Sequence, residues 1–218
     1  MDHIHTNEAI RQIAAVGKKK TELSIFDILV KSGLSGAFLG FSTTLAYTAA
    51  TQTGLDIIGA LIFPTGFVMI LLLNLELVTG SFAIIPIARM RGLTTVPSMF
   101  RNLGWAFIGN LLGALLYAVL FTISISQFGH VTDSVIIDKT IAVAEGKTIG
   151  YQTMGTTGML VLFVNALLCN WMVTMGAVMN FTSHSTIGKI AAMWLPVFIF
   201  SPKDSNTLSS ICLSSPPE

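Results

Sequence analysis

The stretch that decides the fold runs from Leu55 to Ile87, LDIIGALIFPTGFVMILLLNLELVTGSFAIIPI. It is too long for one straight crossing, because about 20 apolar residues already cover the ~30 Å hydrocarbon core of a bilayer. Pro64 and Gly66 stand near its start and Glu76, Thr79 and Gly80 nearer its end, so it reads as a helix broken at membrane depth. Backbone leaves the helical path there only where protein or a water-filled cavity satisfies the freed N–H and C=O groups. A break of this kind points to a pathway. Glu76 sharpens the point, since a carboxylate at that depth costs about 2.5–3.5 kcal/mol on insertion scales and normally faces a cavity or a partner. Two readings stay open: a pore-lining discontinuous segment built on Glu76, Thr79 and Gly80, or a carboxylate paired for structure alone.

On either side of this segment lie further apolar stretches at Ile28–Ala50, Trp105–Ile125 and Gly155–Phe181, and a fifth, Ile190–Phe200, too short to span. Composition agrees. Of 218 residues 52% are hydrophobic and 11% charged, with a mean hydropathy of +0.74, too few polar groups to cover a soluble globule. The expected fold class is an all-α polytopic membrane bundle. A formal net charge of +1 and the lack of any basic run with interleaved aromatics exclude nucleic acid as a partner. Cys169 lies in an apolar stretch and Cys212 in a polar one, which leaves no disulfide framework and no CxxC metal site. The opening residues MDHIHTNEAIRQ carry no apolar core of a signal peptide, so the first span is expected to direct insertion.

Basic residues set the expected orientation. Arg11, Lys18, Lys19 and Lys20 precede span one, Lys31 sits at its mouth, and Arg89, Arg91 and Arg101 follow span two. These belong on the cytoplasmic side, which puts the turn at Thr51–Asp56 and a loop over Gln127–Thr153 outside. Residues 1–27 form a cytoplasmic or interfacial segment in which Ile10, Ile13 and Ala14 share a helical stripe; a short interfacial helix and a frayed tail are both compatible with it. Gly33/Gly36/Gly40 and Gly109/Gly113 recur at helix-contact spacing and read as packing. Asn165 and Asn170, polar groups in span four, must find hydrogen-bond partners; interhelical glue is the preferred reading over pore lining. Lys31 either snorkels to the headgroups or pairs with Glu76. His3, His5, His130 and His184 have no ligand-spaced companions, and no GxSxG, HExxH or phosphate-cradling glycine loop occurs. No enzyme and no cofactor is expected.

Several motifs in order resemble the formate/nitrite transporters: Gly17-Lys18-Lys19-Lys20, Ile28 to Gly36, Glu76-Leu77-Val78-Thr79-Gly80, Gly109 to Ala114, Lys147 and Asn170. The loop at Glu76 is the most specific piece, similar to an acidic-Leu-Phe-Thr-Gly/Ser signature that breaks the second helix. The resemblance implies an aquaporin-like protomer, a homopentamer with one pore per protomer, and transport of small monovalent anions, nitrite or formate before lactate, with protons as a second partner. By position it implies that Thr79 lies at the cytoplasmic side of the pore and Leu77 and Val78 stand at the pore's constriction, that Lys31 pairs with Glu76, and that Lys147 attracts anions at the outer mouth. Asn170 is a pore-side candidate. Val78 departs from the usual Phe. The chain also departs after Trp194-Leu195-Pro196-Val197-Phe198-Ile199-Phe200, which runs into SPKDSNTLSSICLSSPPE where the family has a histidine-bearing segment and a sixth span. The expectation is an incomplete second repeat followed by a disordered polar tail over 201–218, and a C-terminally truncated, non-conducting assembly partner is the alternative to a channel.

Overall fold

A computed structural model describes residues 3–131 and 134–206, with side chains as far as Phe200. The described residues form helices α1 (Thr6–Glu22), α2 (Ile25–Thr53), α3 (Asp56–Ile62), α4 (Pro64–Leu72), α5 (Val78–Met90), α6 (Val96–Ser126), α7 (Val135–Thr153), α8 (Gly155–Met179) and α9 (Thr186–Asn206). Three are long and apolar enough to cross a membrane: α2, α6 and α8. α2 and α6 contain the expected first and third spans, and α8 covers the expected fourth except its last two residues, Asn180 and Phe181. Ser24 caps α2 by accepting the Asp27 N–H at 3.1 Å, and Thr95 caps α6 by accepting that of Ser98 at 3.3 Å, with Pro97 in its first turn.

The segment from Leu55 to Ile87 is broken as expected. Pro64, which has no N–H to donate, opens α4 after α3 ends. At its other end α4 closes in a Schellman arrangement. Asn74 adopts φ 53°, its N–H donates to Leu71 O at 3.2 Å, and the Leu75 N–H donates to Ile70 O at 3.0 Å. The chain then runs extended through Leu77 and re-enters a helix at Val78. The two half-helices, α4 and α5, occupy the middle of the bundle. The paired spans α2 and α6 lie on one side; α8 and α9 lie on the other. The main core gathers Phe67, Ile70, Leu77, Ala177 and Met193.

The small-residue repeats serve packing, as read. A Cβ on Gly36 would stand 2.8 Å from Ala114 N and closer still to Asn110 O, and one on Gly113 would collide with Gly33. α2 and α6 thus touch backbone to backbone.

Two expectations need correction. Gln127–Thr153 is no plain loop, since Val135–Thr153 is helix α7, which lies against α8 and α2. The segment lies between two apolar spans and is no apolar run itself, yet its charges are spread among helix-compatible apolar residues and Tyr151, which is buried. The fifth segment begins at Thr186 rather than Ile190 and stays helical to Asn206, because hydropathy measures apolarity and not the propensity to stay helical. The expected disorder over 201–218 therefore does not hold for its first six residues, and the rest, 207–218, lies outside the described residues.

At the other end of the chain the helical reading prevails over the frayed tail. α1 buries Ala9, Ile13, Ala14, Gly17 and Thr21, and lies against α5 as a strap. Its start is fastened to the α8–α9 turn, where the Ile4 N–H donates to Thr182 O at 2.9 Å.

Candidate functional site

The last turn of α1 has carbonyls with no partners inside the helix, and α6 supplies them. Asn102 Nδ2 donates to Lys20 O at 2.7 Å, and Arg101 Nη2 donates to Thr21 O at 2.8 Å and Leu23 O at 3.0 Å. Thr94 Oγ1 donates to Thr21 Oγ1 at 2.8 Å. These contacts set the Lys20 backbone beside the helix break. Its ammonium reaches Glu76 Oε1 at 2.8 Å, with side-chain exposures of 13% for Lys20 and 3% for Glu76. So the buried carboxylate is answered by Lys20, and the expected Lys31–Glu76 pair is not made. The cause is the fold-back of α1, which delivers a lysine from the preceding helix while Lys31 stays on α2.

Lys31 nevertheless shares the site. A cavity of about 400 Å³ is lined by Lys19, Lys20, Lys31 and Glu76, by Asn74 and Asn180, and by apolar groups that include Leu71, Leu75 and Phe181. With three lysines and one glutamate among its lining residues, the vestibule carries a positive balance that suits a small anion. The walls come from α1 and α2, from the break between α4 and α5, and from the α8–α9 turn.

Beyond Glu76 the backbone is held by Asn110, which lies within the Gly109–Ala114 stretch and has no role assigned from sequence alone. The Asn110 carboxamide on α6 donates to Ser32 O at 2.8 Å and to Glu76 O at 2.9 Å, and its Oδ1 accepts the Val78 N–H at 3.0 Å. Asn110 acts as the N-cap that Leu77 cannot provide, and does so from another helix. A polar residue between Gly109 and Gly113, on the face that touches α2, was the available signal. Thr174 Oγ1 on α8 completes the support by donating to Thr79 O at 3.1 Å.

Leu77 and Val78 are buried at 4% and 9% exposure. Leu77 joins the main core and Val78 a second cluster with Ile28 and Ala106, so their side chains pack to opposite sides, and neither is among the residues that line the cavity. Thr79 is half-buried and follows directly. The remaining expected residues are not brought here. Lys147 is exposed on α7. Asn170 Nδ2 donates back into its own helix, to Ala166 O at 2.9 Å, and its Oδ1 is buried without a partner. Asn165 behaves as interhelical glue, donating to the Tyr151 hydroxyl at 3.0 Å.

The sequence matches the formate/nitrite transporter family model over residues 7–202. The chain belongs to the formate/nitrite transporter family. It is 30% identical over 192 residues to the uncharacterized transporter YrhG of Bacillus subtilis, covering 84% of this chain and 68% of the relative. It is 27% identical over 203 residues to the formate channel BtFdhC of Bacillus thuringiensis, covering 90% and 74%. A solved structure described as an FNT family ion channel superposes with a TM-score of 0.74 at 22% identity, over 90% of this chain and 77% of that one, so the fold is shared as well. A formate/nitrite transporter is an integral membrane transport protein and not an enzyme. In this member the acidic-Leu-x-Thr-Gly segment that breaks the second span contributes Glu76 to the wall of the vestibule.

Proposed function

We propose that this chain passes small monovalent anions, formate or nitrite before lactate, along a path that enters at the vestibule and continues past Leu77, Val78 and Thr79. The observation that carries the reading is the cavity itself, which Lys19, Lys20 and Lys31 line together with Asn74, Leu75 and Glu76 of the break in the second span. Ammonium groups raise the local anion concentration at the mouth, and an apolar constriction then makes the anion shed water. Thr79 follows the constriction with a hydroxyl that has no hydrogen-bond partner among the described residues, which suits it to replace one of the waters lost. Lys147 is assigned the outer mouth and Asn170 a pore-side position by family resemblance, and a homopentamer with cytoplasmic amino termini is proposed on the same ground.

Reconstitution tests it. Purified protein in liposomes is expected to show saturable formate and nitrite uptake, with Thr79→Val lowering the maximum rate and Lys31→Ala raising the half-saturating concentration. Vesicles that assemble intact protein and yet pass neither anion would overturn the reading.

A further inference from the structure

Between Glu76 and Asp133 the chain holds no carboxylate, and Arg89, Arg91 and Arg101 are its only formally charged residues there. All three flank the turn that joins α5 to α6, and all three are exposed. None makes an ion pair among the described residues. The acids beside the α1–α2 turn, which Arg101 touches, are already engaged: Glu22 pairs with Lys18 at 3.7 Å, and Asp27 accepts from Ser24 Oγ at 2.7 Å. Arg101 gives that turn only its Nη2, so the other donors of its guanidinium stay open. Interleaved with the arginines are exposed apolar side chains, Met90 at 85%, Leu93 at 42% and Phe100 at 64%.

We infer that the α5–α6 turn binds the headgroup of an anionic phospholipid, with Arg89, Arg91 and Arg101 on its phosphate and Met90, Leu93 and Phe100 against its acyl chains. Guanidinium groups suit this ligand, because their planar fork matches the oxygens of a phosphate. The height in the membrane suits it too. Arg89 lies just past Ile87, where the second apolar segment ends, and Arg101 just before Trp105, where the apolar part of α6 begins. Cations at such positions stand at the level of the phosphates, and an anionic leaflet attracts them. A soluble acidic protein would answer the charge alone. It would leave Met90 and Phe100 facing water, whereas a lipid covers both the charged and the apolar groups of the turn. The site is separate from the vestibule, which none of the three arginines lines, so it does not depend on whether the chain conducts.

Native mass spectrometry tests it, on the full chain released from micelles that hold equal amounts of phosphatidylglycerol and phosphatidylcholine with the same acyl chains. The parent is expected to retain phosphatidylglycerol over phosphatidylcholine by about tenfold or more, the scale that several basic residues supply at a lipid surface. Arg89→Gln combined with Arg91→Gln leaves the contact of Arg101 with α1 in place and is expected to bring the preference down to about twofold. Arg91→Gln alone, at an exposed position whose side chain has no partner among the described residues, is expected to lower it about threefold; melting curves confirm that each variant folds. Lys189→Gln removes a positive charge from the α8–α9 side of the same end and is expected to keep the preference of the parent. Neither glycerol phosphate nor polyglutamate is expected to displace the retained lipid. Equal retention of the two lipids by the parent overturns the inference, and so does a loss in Lys189→Gln as large as in the arginine variants, which would reduce the effect to net charge. Displacement by glycerol phosphate would assign the arginines to a soluble phosphate, and displacement by polyglutamate to an acidic protein; either result overturns the lipid site.

Discussion

Asn110 shows how much of this architecture hangs on one side chain. It satisfies the Glu76 carbonyl and the Val78 N–H, two groups at the break that no regular helix serves, and anchors itself by donating to Ser32 O inside α2. Leaving buried backbone groups without partners costs about 1–3 kcal/mol each. Asn110→Ala is therefore expected to lower the unfolding temperature of the detergent-solubilised protein by several degrees, at about 2–4 °C per kcal/mol for a chain of this size. A melting curve identical to the parent's would show that the break is held by something else. Asn74 is the companion residue. It stops α4 from within, because a short amide side chain tolerates the left-handed backbone that other residues avoid. Its place in the run LLLNLELV made it legible as a helix stop, yet hydropathy gave more weight to its apolar neighbours.

At the scale of the elements, the decisive contacts are backbone to backbone. α2 and α6 approach through Gly36 and Gly113, where no Cβ fits without displacing a main-chain atom. Gly36→Val is expected to force these helices apart and to remove folded protein from the membrane fraction. Gly104→Val on the same α6 is expected to be tolerated, because nothing stands within 4 Å of the position that its Cβ would take. Equal loss of both in size-exclusion profiles would assign the effect to helix propensity rather than to the interface. The strap α1 depends on a different device. Its end is capped by Arg101 and Asn102, two polar residues in the opening turns of α6. A search for apolar spans starts that helix at Trp105 and so passes over both of them.

For the molecule as a whole, the two basic segments meet at one end. The end of α1 and the start of α6 are joined through Thr21, Thr94 and Arg101, and the α8–α9 turn reaches the same vestibule through Asn180 and Phe181. The proposed orientation places this end in the cytoplasm. Single cysteines at Met90 and His184, introduced after Cys169 and Cys212 are replaced by serine, are expected to resist an impermeant reagent added outside intact cells. A cysteine at Val135 is expected to react. Labelling of Met90 and protection of Val135 would reverse the topology.

The sequence by itself determined the membrane environment, the three long spans, the break in the second and the family. Each of these is a local sum or a short motif. The apolar lengths at Ile28–Ala50 and Gly155–Phe181 and the run Glu76-Leu77-Val78-Thr79-Gly80 can be read within a few turns of chain. Only the tertiary structure decided which lysine meets Glu76, what holds the broken backbone, and that Val135–Thr153 is helical. Lys20 and Glu76 lie 56 positions apart, and Asn110 lies 34 from Glu76. Such pairings follow from the direction in which α1 folds back and from how closely two glycine faces approach. Hydropathy carries no trace of either, because it records the preference of each residue for lipid or water and not the direction in which its side chain is aimed.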